Sequence, residues 1–533
     1  MAKKRTKLTD ISKNQDQVML PINLSELDPL PYDCGGCEKI TPLTDDQKTK
    51  WEHSLDGISA LNLPKPKTKE EEEKLVKSFL NGLEKLLTPE NNFTLLRPLK
   101  MSLEYCGKCL VCTEACPVFV SSGRQDIYRP TYRSEVLRRI IKNYTHHGKA
   151  MFPGFSDGNI ELNWATIARL AELAHRCTLC RRCAQACVRG VDNALITREL
   201  RKVFSQEMGI AAESVHAKGT VQQLGIGAST GLNPRALADT IEFMEDDIEE
   251  KLGRRIKIPV DKKGAEILLI HNTGEYVSWM QNPEAFAIIF DMAGIDYTLS
   301  SDIGGYEGTN YGLWYDDLQF ARIALKHVEI AKKLGVRKII AGECGHEHKA
   351  MIPIADRLLT KDMYMPRESC FPLLEQIVFS GKLKLDPKRN DFPVTLHDPC
   401  NFVRAMGIVE PQRRIIRHIA PQFREMTPHG VTNYCCGGGS GFAINSASKG
   451  FVDWKMAISG RMKVKQILNA FGKDLGPGKH NYVCTPCSNC KGQIRDLISY
   501  YNLKDKYGIY YDGLVELIVN AMVDMKKPFI EWE

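Results

Sequence analysis

The chain has 533 residues, a formal net charge of +7 and 18 cysteines, and its first 20 residues are polar and charged with no apolar leader. That length suits three or four compact units, and the absence of any run of 18 apolar residues predicts a soluble chain with no direct membrane span, which reaches a membrane only through partners. Cysteine at this frequency without a leader argues against a disulfide scaffold and for metal ligation, while Lys and Arg interspersed with Asp and Glu give no basic stripe for nucleic acid.

Residues 1–95 read as an N-terminal extension. Cys34 and Cys37 form a CxxC pair there with no second pair nearby, and Lys69–Lys74 (KEEEEK) reads as a solvated helix start. The next unit, 96–205, carries the clearest signal. Cys106, Cys109, Cys112 and Cys116 follow CxxCxxCxxxC ahead of Pro117, and Cys177, Cys180, Cys183 and Cys187 repeat the spacing ahead of Val188. This is the bacterial two-cluster ferredoxin run, in which three thiolates on one tight loop grip one cube and the fourth reaches the other. It predicts one [4Fe-4S] cubane on Cys106, Cys109, Cys112 and Cys187, and a second on Cys177, Cys180, Cys183 and Cys116; zinc is the simpler alternative. About 60 residues separate the runs, with helical patterns at 134–142 and 164–176, and His146, His147 and His175 read as surface or satisfied side chains.

Residues 206–260 read as a helical connector, with Asp239–Leu252 its clearest helix and Gly225, Gly227 and Gly231 a loop lacking the GK[ST] of a phosphate cradle. Two α/β halves follow, 261–385 and 386–533. Ile267–His271 matches Val394–His397, and Lys338–Ala341 matches Asn481–Val483, as apolar runs suited to mainly parallel sheets. The fold class expected is therefore α+β multidomain: a helical double-cluster ferredoxin domain followed by two α/β repeats. In the overlay Gly274 stands opposite Cys400, Asp302 and Ile303 opposite Cys435 and Cys436, Ala341 opposite Cys484, and Cys344 opposite Cys487. The first half has thus lost most of its thiols. An insertion in the second half falls in the Gly472–Lys479 loop.

The second half holds VTLHDPC, then YCCGGGSGF, then YVCTPCSNC, with 34 residues between Cys400 and Cys435 and 47 between Cys436 and Cys484. On the residues alone this is either a zinc knot or an iron–sulfur site with surplus thiolates. The pattern resembles the CCG domain of heterodisulfide reductase catalytic subunits. Joined to a double ferredoxin domain it resembles their D-type subunit, and with one intact motif behind a degenerate one it is most similar to the DsrK (HmeD) family of dissimilatory sulfur metabolism.

The resemblance implies that Cys400, Cys435, Cys436, Cys484 and Cys487 hold a noncubane [4Fe-4S] cluster whose open irons accept a substrate sulfur. It implies electrons from a quinol-oxidising cytochrome b partner (DsrM-type, in a DsrMKJOP-type complex) at the inner face of the cell membrane. It further implies a DsrC-type small protein as disulfide or trisulfide substrate in the cytoplasm. Cys344, in GECGHEH with His346 and His348, is a further catalytic candidate, as a contact for substrate sulfur or a proton source. Cys490 reads as near the cluster without ligating it, and Cys370 reads as a buried thiol. The alternative reading is the electron-transfer subunit of a glycolate, lactate or glycerol-3-phosphate dehydrogenase.

Overall fold

A computed structural model describes residues 8–12, 30, 61–147, 160–445 and 449–532; the Cys34–Cys37 pair lies outside them. The chain forms two compact units. One comprises residues 1–216, 314–317 and 437–462, and the other 217–313, 318–436 and 463–533. The unit holding the ferredoxin cysteines thus also takes in the stretch that follows CCG in the chain.

The ferredoxin unit is helical and built around Asn193–Met208. Asp192 caps this helix by accepting the Ala194 and Leu195 N–H groups at 3.0 Å each, and Gly209 ends it in the left-handed conformation. It packs on helices Lys69–Leu86, Leu96–Glu104, Pro130–Tyr144 and Trp164–His175. Its buried polar face is internally satisfied: Arg198 pairs with Glu199 and Asp317, and Lys202 donates to Asn92 at 2.9 Å and Asp317 at 2.8 Å.

The other unit contains two four-stranded, all-parallel sheets. The first runs β2-β1-β3-β4, with β1 Ile267–Ile270, β2 Tyr297–Thr298, β3 Lys338–Ala341 and β4 Arg367–Ser369. The second runs β6-β5-β7-β8, with β5 Val394–Leu396, β6 Phe423–Arg424, β7 Asn481–Cys484 and β8 Ile509–Asp512. Apolar strands covered by helices on both faces explain the continuous burial of β1, β5 and β7. Ile270 pairs with Ala341, and Leu396 with Cys484. This register places Gly274 opposite Cys400 and Cys344 opposite Cys487, each of the last two capping a helix after its strand. Nine residues separate Phe471 from β7 where three separate Leu334 from β3, so the surplus includes the Gly472–Lys479 loop.

One sequence overlay is corrected. Asp302 is half-buried and Ile303 exposed. The segment lying against the end of β1 is 307–309: Gly308 N–H donates to His271 O at 2.9 Å, and Glu307 accepts from Thr273 Oγ1 at 2.9 Å. In the second half Asn433 holds that place, donating to Asp398 O at 3.1 Å. Matching paired glycines across loops of unequal length misplaced the counterpart of the CC pair.

Candidate functional site

Each ferredoxin run folds as a tight loop in which the residues on both sides of the central cysteine are left-handed: Lys108 and Leu110 around Cys109, Leu179 and Arg181 around Cys180. Four non-glycine residues held there, each costing on the order of 1–3 kcal/mol, mark loops held in one particular shape. Cys116, Cys177, Cys180 and Cys183 line a single cavity with Pro117, Tyr128 and Leu173. Burial, with neighbouring Cys177 and Cys180, pushes the Cys116 thiol up to about 12. Burial and then Cys106, Cys187 and Cys109 push Cys112 up to about 11. The fourth thiol of each run therefore lies with the other run's three. Four thiols around one cavity fit a cube, and ligation would remove the penalty on the thiolates. Arg133 Nη2 stands 3.3 Å from Cys177 Sγ and the Val191 N–H 3.4 Å from Cys187 Sγ, placing donors on ligand sulfur.

The loop after CC belongs to this same unit. Ser440 Oγ donates to Cys177 O at 2.9 Å, and Arg201 Nη2 donates to Cys177 O at 2.6 Å. A Cβ on Gly439 would stand 2.7 Å from Thr178 O, so this glycine allows the backbone to close on the cysteine loop. This glycine of the CCG run packs against a ferredoxin loop.

The CCG thiols gather at the carboxyl ends of β5 and β7, where β6 and β8 lie on opposite sides. This is the switch-point crevice of an open parallel sheet. Cys436 Sγ and Cys490 Sγ are 3.3 Å apart, and donor atoms of His397, Cys436 and Cys490 lie within 4.8 Å of one another. Hydrogen bonds from Cys435 and then Cys490 hold the Cys436 thiol well below its ordinary range despite burial. For Cys487 burial works upward, yet hydrogen bonds with Cys344 and Cys490 hold it low. Cys400, also buried, opens the helix Cys400–Val403 beside this group. A buried set of converging thiols suits a cluster with more than four ligands.

Cys484 stands apart. As the last residue of β7 it shares the core side of the strand with Tyr482. Burial and then Glu343 and Glu516 push its thiol well up. The structure thus brings Cys487 and Cys490 to the thiol group, where spacing had offered Cys484 and Cys487. Cys344 receives the amide donors of Asn272 and Asn489, each at 3.8 Å. His346 and His348 are buried, which lowers them to about 3 and 4 and keeps both neutral. His175 is buried and bonded to Ala171 O at 2.9 Å, His147 pairs with Glu84 at 3.3 Å, and Cys370 is a core thiol.

Two supporting pairings were not singled out by the motif search. Arg413 grips Asp398 through bonds of 2.7 and 2.6 Å, and Asp398 also accepts the Gly430 N–H at 2.6 Å. Lys463 is fully buried; burial lowers it to about 7, opposed by Asp398 and Cys436. It donates to Asn433 Oδ1 at 2.9 Å, two residues before Cys435. These pairings fix the approaches to Cys400 and to the CC pair.

Residues 102–191 match the family described as a 4Fe-4S dicluster domain, and residues 394–495 match the CCG cysteine-rich domain. Over 472 residues the chain is 26% identical to an Hdr-like menaquinol oxidoreductase iron–sulfur subunit 2 of Archaeoglobus fulgidus, covering 80% of this chain and 81% of that one. It is also 24% identical, over 406 residues, to the D subunit of a dihydromethanophenazine:CoB–CoM heterodisulfide reductase from Methanosarcina acetivorans, covering 74% and 89%. The chain thus carries a 4Fe-4S dicluster domain and a CCG domain, and is similar to an Hdr-like iron–sulfur subunit and to a heterodisulfide reductase D subunit. It is an oxidoreductase component with two 4Fe-4S clusters in its dicluster domain and a further noncubane cluster indicated by its CCG domain. Among the described residues, no helix is long and apolar enough to cross a membrane.

Proposed function

We propose that this chain is the cytoplasmic subunit of a membrane complex of the DsrK type, held peripherally by partner subunits, and that it reduces a disulfide or trisulfide on a DsrC-type small protein. The observation that carries the reading is the convergence of Cys435, Cys436, Cys487 and Cys490 with His397 at the switch point of the second sheet. The names of the relatives, a menaquinol oxidoreductase and a heterodisulfide reductase, support a quinol-oxidising cytochrome b partner as electron source.

In this reading Cys106, Cys109, Cys112 and Cys187 hold one cubane and Cys116, Cys177, Cys180 and Cys183 the other. Cys400, Cys435, Cys436, Cys487 and Cys490 hold the noncubane cluster, with Cys484 replaced by Cys490 on geometry. A cluster with an open iron supplies one-electron steps and a binding place for sulfur. The protein residues do the rest. Asp398 and Arg413 hold the Cys400 segment, Lys463 holds Asn433 ahead of the CC pair, and buried surroundings exclude bulk water. Net reduction is R–S–S–R′ with two electrons and two protons to RSH and R′SH. Cys344, hydrogen-bonded with Cys487 from the first half, is the candidate contact for substrate sulfur.

The test is the purified complex supplied with a reduced quinol analogue and an oxidised DsrC-type protein, with released thiols counted. Quinol-dependent thiol release that is lost in Cys436→Ser is expected. A flavoprotein dehydrogenase in place of a cytochrome b, with no thiol release, would overturn the reading. Unchanged turnover in Cys344→Ser would remove Cys344 from the site.

A further inference from the structure

The two ferredoxin centres differ in their access to solvent. None of Cys116, Cys177, Cys180 and Cys183 is exposed, and Ser440 and Gly439 close on the loop that begins at Cys177. The other centre is open. Cys109 is the one exposed thiol of the eight, and residues 107–111 are exposed without a break.

Around this opening the unit displays large apolar side chains that a solvated surface does not need. Phe93 is 87% exposed, Val188 86%, and Met101, Tyr105, Leu110 and Val111 between 38% and 52%. Phe93, Leu96 and Met101 line one open groove of about 310 Å³ together with Arg97 and Lys100. The Tyr105–Val111 stretch continues directly from it, and the Arg189 guanidinium lies against Gly107, which sets the Val188 turn beside the first cysteine loop. Apolar groups concentrated at one place and rimmed by charge mark an interaction surface.

The occupant is set by what the surface surrounds. Lys108 is paired with Glu135 at 3.0 Å, and the remaining basic residues of 93–116 and 187–190 (Arg97, Lys100 and Arg189) still outnumber the acidic ones (Glu104 and Glu114). A partner docking here covers the open thiol loop and brings its own centre close to it. We infer that Phe93, Met101, Tyr105, Leu110, Val111 and Val188 form the docking face for the electron-donating partner subunit, whose contact surface carries a redox cofactor within an apolar patch ringed by acidic side chains. The first centre is then the electron-receiving port, and the less exposed one lies behind it. This rests on the proposal above that a partner feeds the chain electrons, and adds where that partner sits.

The test uses the whole complex, purified through a tag on this chain, with the double variant M101E/V188E, the single variant F93E, and F243E as a control at an exposed apolar site of the other unit. The readout is haem or flavin retained per mole of chain, alongside dithionite-reducible iron. M101E/V188E should lose the cofactor-bearing subunit by at least about tenfold with its reducible iron unchanged, while F243E behaves as wild type. Retention within about twofold of wild type overturns the docking face. Should M101E/V188E lose iron, F93E, remote from every cysteine in sequence, decides by the same criterion. Retained haem upholds the quinol reading, whereas retained flavin sinks that reading and leaves the face standing. A wild-type chain holding neither overturns both.

Discussion

Substituting Arg413 with Met tests whether the approaches to the CCG thiols depend on one buried ion pair. Arg413 is 1% exposed and Asp398 fully buried. Two bonds of 2.7 and 2.6 Å join them, and Arg413 Nε donates to Glu425 at 2.9 Å. An exposed pair would contribute about 0–1 kcal/mol. Removing one partner of a buried pair instead leaves an uncompensated charge, at about 3–5 kcal/mol. Asp398 precedes Cys400 by two residues and its carbonyl accepts from Asn433, two residues before Cys435. R413M keeps much of the side-chain volume, so the loss should be electrostatic and centred on this site. We expect its unfolding free energy in urea to fall by about 3–5 kcal/mol, with loss of about four of roughly twelve irons. D398N/R413M, which removes both charges, should recover most of the stability. An R413M protein within about 1 kcal/mol of wild type with full iron would refute the reasoning, as would a double variant no better than the single.

Three further outcomes follow from named contacts. C490S should lose the noncubane cluster's iron while C484S keeps it, measured by iron analysis and EPR; the reverse result would restore the pairing read from spacing. G439A forces a methyl against Thr178 O and should cost about 1–3 kcal/mol, seen as a lower urea midpoint; an unchanged midpoint would show that the loop has room. E284Q should be pH-selective. Burial and then Asp247 push the Glu284 carboxyl up to about 9, so the folded chain keeps a proton that the unfolded chain releases above about 4.5. Stability present at low pH is therefore lost as pH rises through about 9. The variant should gain about 1–3 kcal/mol over wild type near pH 9 and little near pH 5, and an equal gain at both would contradict this.

Short-range chemistry was readable before any coordinates. CxxCxxCxxxC sets loop shape within a dozen residues, and the apolar strands with their glycine-rich connections gave two parallel sheets. Cys344 opposite Cys487 was also legible, because both sit at a fixed distance beyond a strand. The choice among Cys484, Cys487 and Cys490 was not, since two overlapping CxxC pairs look alike. A strand drawn one residue longer, through Cys484, would have settled it: alternation puts Cys484 on the side of Tyr482, in the core. Asp398–Arg413 and Lys463–Asn433 join residues 15 and 30 apart and leave no local trace. His397 did leave one, in the HDPC run ahead of Cys400, but its nearness to Cys436 and Cys490 emerges only once the sheet closes.

The central claim is that substrate sulfur is handled at the thiol group of Cys435, Cys436, Cys487 and Cys490. EPR of the oxidised, fully loaded complex, with and without a ³³S-labelled oxidised DsrC-type protein, tests it most directly. The account predicts a new signal broadened by the labelled sulfur and absent in Cys436→Ser. Unperturbed cubane signals alone would contradict it.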